Sequence, residues 1–267
     1  MSSNTMELDT ETSSSSFLGD LGPPIRRYPY KGPRQFLETV KMEQSRQEEF
    51  EASEWVLFSN VNKQVFSRDF LNSDSILQRC WNSYDSSQHL LLVKMISRAH
   101  ETAARGVDDC LRTFGSATCK AENGSAKQPD CQFLPRRLPR GRTTKWPSLV
   151  VETGFLETPS KLMSDARFWL SESNGDVQMV ITIKIGRSLP NIVLESWELV
   201  DDRVKCQQVI TVNKGRNNSA YVDGQPLVIR FDKLFLRPPT NRRETDISID
   251  NTILNKIARD IWEEQEF

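Results

Sequence analysis

The sequence contains few of the residues and patterns that mark common kinds of functional site. Of its 267 residues only two are histidines and five are cysteines, and no two cysteines form a Cys-x-x-Cys pair. This scarcity argues against a zinc site and against a disulfide framework, so the cysteines are interpreted as ordinary thiols in a reducing compartment. A Walker phosphate loop, a Gly-x-Gly-x-x-Gly turn and a Gly-x-Ser-x-Gly nucleophile elbow are also missing from the sequence.

Long apolar runs and a large excess of charge of one sign are missing as well. No stretch approaches the roughly 18 apolar residues that a membrane-spanning helix needs. The first residues, MSSNTMELDTETSSSS, lack the basic start and apolar centre of a signal peptide. We therefore expect no membrane partner and an intracellular location, either cytoplasmic or nuclear. Because the formal net charge is −1, any contact with nucleic acid must come from a local basic patch.

The residues that are present divide the chain into three parts. Residues 1–24 are rich in Ser, Thr, Asp and Glu, which predicts a disordered tail. Residues 25–85 carry helix formers and are interpreted as a helical N-terminal extension. Residues 86–267 begin with an expected helix over about 86–115 and continue with short β-branched runs, among which lie two further helical patterns. This order predicts an α/β or α+β fold with a central mixed β-sheet flanked by helices.

Two carboxylates lie at unusual places in the β-rich part. Glu152 follows the apolar run Leu149-Val150-Val151, and Asp130 begins the preceding strand-like segment DCQFLP. A carboxylate in an apolar strand needs a nearby cation or must stay protonated. If the two strands are neighbours, both acids converge at one end of the sheet and offer hard oxygen donors to Mg²⁺ or Mn²⁺. Such a site polarises a phosphoryl oxygen and activates a water, which is the chemistry of a phosphodiesterase.

Each acid also has a plainer interpretation. Glu152 could be a strand residue whose side chain reaches solvent at the end of the sheet, and Asp130 could be a turn residue. Glu101 lies on the polar face of its expected helix. It is either a third carboxylate directed at the same cation or part of an exposed ion-pair face with Arg98 and Arg105.

A basic loop lies between the two acids, over residues 136–145. It contains five cationic side chains: Arg136, Arg137, Arg140, Arg142 and Lys145. Such side chains contact the phosphates of a nucleic acid without reading its sequence, so nucleic acid is the expected partner. The other interpretations are a strand connection that is basic by composition alone and a nuclear-import signal.

The ordered set of motifs resembles a known superfamily. AHE at 99–101, FGSAT at 114–118, KQPDCQFLP, WPSLVVETG, DARFWLSESNGDVQMVITIKI and IVLESWEL together resemble a group of fungal proteins. Those proteins are similar to the PD-(D/E)XK, or restriction-endonuclease-like, superfamily, and in particular to its restriction endonuclease branch, in which a PDLVVE-like strand precedes a helix and a strand. The resemblance covers roughly residues 88–265. It implies a helix-flanked mixed sheet and metal-dependent cleavage of a phosphodiester, with Mg²⁺ or Mn²⁺ as the cofactor.

The resemblance also implies roles for individual acids. Asp130 matches the aspartate of the PD motif, and Glu152 matches the acidic residue of the next strand. Glu101 matches a helix glutamate that some members use as an additional metal ligand.

The lysine of the superfamily has no direct counterpart. The superfamily places it two residues after the strand acid, where this chain has Gly154. The candidates for a displaced lysine are Lys161 and Lys184. Alternatively, Lys184 extends to solvent at a sheet edge, and Lys161 forms an i,i+4 ion pair with Asp165.

Two hypotheses about function follow from the sequence. The first is a nuclease-like enzyme whose metal site is built from the two strand acids, with Glu101 assisting. In it Lys184 or Lys161 positions the water, and the basic loop holds the substrate backbone. The second is a non-catalytic interaction or scaffold protein on the same fold, in which the acidic positions serve structure.

Overall fold

A computed structural model describes residues 21, 25–49, 53–72, 76–95, 100, 102–103, 117–155, 159–215, 220–224 and 226–267. The strands in it are β1 Arg26–Pro29, β2 Trp55–Ser59, β3 Ser83–Asp85, β4 Leu90–Lys94, β5 Cys119–Lys120, β6 Ala126–Lys127, β7 Cys131–Phe133, β8 Leu149–Gly154, β9 Met179–Ile185, β10 Asn191–Val200, β11 Arg203–Lys214, β12 Ala220–Asp223, β13 Leu227–Ile229 and β14 Ile247–Ile249. The α-helices are α1 Pro33–Glu49, α2 Lys63–Val65, α3 Pro159–Glu172, α4 Phe231–Phe235 and α5 Asn251–Glu264. A π-helical turn, Phe66–Phe70, and a 3-10 turn, Ile76–Arg79, complete the described elements.

The first sheet has the strand order β1-β2-β4-β3-β6-β5. Strands β1 and β2 are parallel, and the other neighbours are antiparallel. Helix α1 packs on this sheet through Phe36 and Val40, which share a buried core with Val56 and Phe58. The rings of Phe36 and Phe58 lie 4.6 Å apart between centroids. Aromatic packing of this kind fixes the helix against the sheet.

The second sheet has the strand order β12-β11-β10-β9-β8-β7. Strands β8 and β9 are parallel and helix α3 lies between them in the sequence, whereas the other neighbours are antiparallel. Helix α5 covers one face with its apolar stripe, which begins after the N-cap Asp250. Trp169 of α3 packs on the other face against Val150 and Val180. The mixed α/β architecture expected from the sequence is confirmed.

The expected helix over about 86–115 is wrong at its start. Leu90–Lys94 is strand β4, which pairs with β2 on one side and β3 on the other. Its leucines and valine alternate between two buried clusters, one containing Leu91 and Val93 and the other containing Leu90 and Leu92. A strand that is buried on both faces has a continuous run of apolar residues in its sequence. The spacing of apolar residues cannot distinguish such a run from a buried helix. Residues 96–99, 101 and 104–115 of the expected helix lie outside the described residues.

The interpretation of residues 25–85 as a helical extension is also wrong in its secondary structure. Helix α1 is present, but this region also contributes β1, β2 and β3. These strands share one sheet with β4, β5 and β6, so the boundary at residues 85 and 86 falls inside a sheet. The expected tail at 1–24 lies outside the described residues except for Leu21. Among the helices that the structure describes, none is long and apolar enough to cross a membrane.

The burial of β4 on both faces predicts a large loss of stability when its core is truncated. Leu91 is fully buried, so Leu91→Ala is expected to lower the free energy of unfolding by about 2–5 kcal/mol in urea denaturation. The matched control is Leu189→Ala, at a leucine that is 68% exposed, which should change it by less than about 0.5 kcal/mol. Equal effects at the two positions would contradict the assignment of β4 as a buried strand.

Candidate functional site

The two acids predicted from the sequence lie opposite each other on neighbouring strands. Strands β7 and β8 are antiparallel, and Cys131 pairs with Val151. Asp130 precedes Cys131, so it lies across from Glu152 at the end of this pairing. Their side chains are 7% and 1% exposed. The adjacency that the metal hypothesis requires is therefore present, and neither acid extends into solvent.

Three groups surround one oxygen of Asp130. Its Oδ2 accepts a hydrogen bond from the Thr153 backbone N–H at 2.7 Å and lies 3.1 Å from both Lys94 Nζ and His100 Nε2. Burial raises the pKa of Asp130, but Lys94, His100 and the Thr153 N–H together outweigh it and hold that pKa well below its usual range. Asp130 is therefore an ionised carboxylate inside the protein.

Lys94 also contacts a second oxygen atom. Its ammonium group donates to the backbone carbonyl of Thr153 at 2.5 Å, in addition to Asp130. The side chain of Lys94 is only 4% exposed. A cation thus bridges a carboxylate oxygen and a carbonyl oxygen at the end of strand β8.

Glu152 has a different set of contacts. Trp169 Nε1 donates to its Oε1 at 2.6 Å, and Lys127 Nζ lies 3.3 Å from the same oxygen. Burial raises the pKa of Glu152 to about 7, because the favourable charge of Lys127 is opposed by the charges of Asp130 and Asp165. Glu152 can therefore gain or lose a proton near neutral pH.

A third buried carboxylate, Asp165 of helix α3, completes the group. Its Oδ1 lies 2.7 Å from Lys127 Nζ and also contacts Lys161 Nζ. Burial raises the pKa of Asp165, but the two lysines outweigh burial and lower it. Lys161 and Asp165 form the i,i+4 pair that was the alternative interpretation of Lys161.

We call this group the ionic cluster. Its lysine and carboxylate members are supplied by two different parts of the fold: Lys94 and Lys127 by the first sheet, and Lys161 and the acids by α3 and by the segments around β7 and β8. Two of the lysines contact Trp55 of β2, since the Nζ atoms of Lys94 and Lys161 are each 5.1 Å from its ring centroid. The members are Lys94, His100, Lys127, Asp130, Glu152, Lys161 and Asp165.

The other lysine candidate, Lys184, lies on strand β9. It is partly buried and pairs in parallel register with Gly154. Lys184 therefore lies on the strand next to β8, beside Gly154. Glu101, the expected third acid, lies outside the described residues.

Sequence reasoning missed four members of the cluster, one of which, His100, was taken as an ordinary residue of the expected helix. Lys94 ends the apolar run of β4 and is followed by Met95. A charged residue beside an apolar run was the sequence signal that could have identified it, and the same signal identified Glu152. Lys127 lies in a turn-rich segment and carried no such signal. Asp165 was considered only as a partner of Lys161. The contacts that reveal Lys94 and Lys127 join residues of different sheets, which no local pattern encodes.

The basic loop connects β7 to β8, and four of its five cations are exposed: Arg136, Arg137, Arg140 and Lys145. Arg142 differs, because its guanidinium side chain is only 10% exposed. It donates to the Asp176 carboxylate at 3.0 Å and to the Trp146 carbonyl at 2.7 Å. Arg142 therefore fastens the loop to the protein, and its expected contact with phosphate stays a prediction.

The oxygens of the site suit a hard cation, although the protein supplies few of them. Within the described part of the chain, no group of three or more His, Cys, Asp or Glu side chains is arranged to hold a metal ion. The available donors at the end of β8 are the carboxylates of Asp130 and Glu152 and the Thr153 carbonyl. These are the ligand types that Mg²⁺ and Mn²⁺ prefer. The chemistry open to the cluster is thus cation binding and proton exchange.

The raised pKa of Glu152 predicts a pH dependence of stability. An acid whose pKa is higher in the folded state than its ordinary 4.5 binds more protons when folded, so its contribution falls as pH rises from about 4.5 to about 7. Glu152→Gln removes this titration. The free energy of unfolding of the variant relative to wild type should therefore rise by roughly 2–3 kcal/mol across that window in urea denaturation. Parallel curves for the two proteins would show that Glu152 titrates normally.

No protein-family model and no curated protein sequence matches the chain, so the role of the ionic cluster is inferred from its own contacts.

Proposed function

We propose that the chain is a nuclease-like, metal-dependent phosphodiesterase on a restriction-endonuclease-like fold. The observation that carries the proposal is the meeting of Asp130 and Glu152, two buried carboxylates, at the end of adjacent antiparallel strands. Burying two acids side by side is unfavourable unless cations accompany them. Proteins contain such buried, closely spaced acids at sites where the acids take part in a reaction.

The order of the elements around the acids supports the fold part of the proposal. The hairpin of β7 and β8 is followed by helix α3, and the chain then returns as β9, parallel to β8. The resemblance implies this order: an acidic strand, then a helix, then a strand. The first sheet is an addition that the resemblance does not account for.

The donor set fits Mg²⁺ or Mn²⁺. The Lys94 ammonium already bridges the Asp130 carboxylate and the Thr153 carbonyl, so these oxygens are placed to hold a positive charge. Asp130, Glu152 and the Thr153 carbonyl are the groups that would hold the metal. When bound, a divalent cation supplies Lewis-acid stabilisation of a phosphoryl oxygen and lowers the pKa of water.

The remaining residues have distinct roles in the proposal. Lys94 and His100 keep Asp130 ionised, and Trp169 orients the Glu152 carboxyl. Lys184 takes the place of the missing lysine. It is the neighbour of Gly154 across parallel strands, which are about 4.8 Å apart, so its ammonium group reaches the region that a lysine at position 154 would serve.

The exposed cations of the basic loop hold the substrate backbone. They are Arg136, Arg137, Arg140 and Lys145, which belong to the connection between the two acidic strands. Each phosphate contact of this kind adds affinity that falls with salt concentration and does not depend on base sequence.

One observation favours the alternative, a non-catalytic interaction or scaffold protein on the same fold. Each buried acid is already paired with a lysine: Asp130 with Lys94, Glu152 with Lys127, and Asp165 with both Lys127 and Lys161. A cluster balanced in this way is stable without a bound metal, and its ion pairs would serve to hold the two sheets together.

A cleavage assay separates the two functions. The full chain is incubated with supercoiled plasmid and with single-stranded RNA in Mg²⁺ or Mn²⁺. We expect cleavage that Asp130→Asn and Glu152→Gln each reduce at least about 100-fold, since each variant removes a charged oxygen donor. Asp232→Asn, at an exposed carboxylate, should cleave like wild type. Absence of cleavage by folded wild-type protein in both metals would favour the scaffold function.

The same assay tests the lysine assignment. Lys184→Met should reduce cleavage at least about tenfold while leaving thermal stability near that of wild type, because Lys184 is only partly buried. The control is Lys214→Met, at a lysine on the neighbouring part of the sheet. If Lys184→Met and Lys214→Met cleave equally well, Lys184 does not supply the missing lysine.

The contacts of Lys94 predict a second, independent measurement. Because its ammonium holds the same oxygens that a metal would contact, Lys94→Met should bind Mn²⁺ at least about tenfold more tightly than wild type, as measured by electron paramagnetic resonance of free Mn²⁺. Lys161→Met is the matched control. Lys161 lies equally close to Trp55 but bonds to Asp165, so this variant should leave Mn²⁺ affinity unchanged. An unchanged affinity in Lys94→Met would show that Lys94 does not compete for the cation position.

A further inference from the structure

A cavity of about 310 Å³ lies between the basic loop and strands β5 and β7. Its walls are largely apolar, with Leu134, Pro135, Leu138 and Pro147 among the lining residues. Small-molecule sites usually measure about 300–1,000 Å³, so this cavity belongs at the small end of that range. It has room for one small ligand.

One buried polar side chain opens into the cavity. Gln132 of β7 lines it, and this residue is 7% exposed. A carboxamide that lines a cavity can offer a ligand both a donor and an acceptor.

Two cations at the cavity give it a preference for anions. Arg136 and Lys145 line it and are exposed, so their charges face whatever enters. Arg142 fixes the loop that forms this wall, because its guanidinium bonds to the carbonyls of Trp146 and Pro147 at 2.7 Å and 3.2 Å. The loop that carries Arg136 and Lys145 is therefore held in place by Arg142.

We infer that this cavity binds a single nucleotide unit, with its phosphate on Arg136 and Lys145 and its base against Gln132. Arg and Lys are suited to phosphate, and a glutamine carboxamide pairs with the donor and acceptor edge of adenine. The apolar walls suit the faces of a base. An inorganic anion alone would leave the walls and the carboxamide unused, and a purely apolar ligand would leave the two cations unused.

The position of the cavity relates it to the ionic cluster. Gln132 pairs with Val150, which lies two residues before Glu152 on the same face of β8. Cys119, another lining residue, pairs with Lys127, which contacts Glu152. The inference rests on the proposed function in one respect: a nucleotide held here places the adjoining phosphodiester next to Asp130 and Glu152.

The test is isothermal titration of the full chain with AMP, adenosine and inorganic phosphate in the absence of divalent metal. AMP should bind, with adenosine and phosphate each at least about tenfold weaker, because each lacks one half of the contacts. Arg136→Ala should weaken AMP about tenfold and leave adenosine unchanged. Gln132→Leu should weaken both AMP and adenosine. Arg203→Ala, an exposed arginine of strand β11 that does not line the cavity, is the control and should bind AMP like wild type.

Three results would overturn the inference. They are absence of AMP binding at millimolar concentration, phosphate binding as tight as AMP, and equal effects of Arg136→Ala and Arg203→Ala. Glu152→Gln separates this inference from the proposed function, because it should abolish cleavage and keep AMP binding. AMP binding without any cleavage by wild type would remove the nuclease proposal and keep the nucleotide site. Cleavage without AMP binding would do the reverse.

Discussion

Three carboxylates lie buried between the two large sheets of this protein, and lysines that reach them from both sides make that burial tolerable. Asp130, Glu152 and Asp165 have side chains at most 7% exposed. Removing a charge from water costs several kcal/mol unless an opposite charge and hydrogen bonds compensate for it. The first sheet supplies Lys94 and Lys127 for this purpose. Strands β4 and β6 therefore contribute residues to the ionic cluster, so the first sheet is part of the site.

The same cluster gives two neighbouring acids opposite properties. Asp130 accepts a backbone N–H and contacts Lys94 and His100, so its pKa is lowered despite burial. Glu152 has Lys127 and Trp169 but also faces two negative charges, so its pKa rises to about 7. Pairs of carboxyl groups whose pKa values are driven apart by their surroundings are typical of acid and base roles in enzymes.

Local patterns in the sequence were sufficient for part of the fold and part of the site. Helix α5 follows from the spacing of its apolar stripe, and β8 to β11 follow from their β-branched runs. The two acids stood out because a charge beside an apolar strand is rare. Strand β4 was missed because it is buried on both faces, so its run of leucines did not alternate with polar residues.

Local sequence patterns could not predict the contacts between the two sheets. Lys127 lies among turn residues, and only its pairing in the first sheet carries it to Glu152 and Asp165. The ion pair between Arg142 and Asp176 likewise depends on the path of the loop that connects β7 to β8. Such long-range pairings set the charge balance of the cluster. For this reason the sequence indicated the acids but not the cations that neutralise them.

The most direct test of this account is a double-mutant cycle between Lys94 and Asp130. The free energy of unfolding in urea is measured for wild type, Lys94→Met, Asp130→Asn and the double variant at neutral pH. The account predicts that each single variant is strongly destabilised by the unpaired buried partner, that the double variant recovers part of the loss, and that the coupling energy is about 2 kcal/mol or more. Additive effects, within about 0.5 kcal/mol, would contradict a buried ion pair between the two sheets.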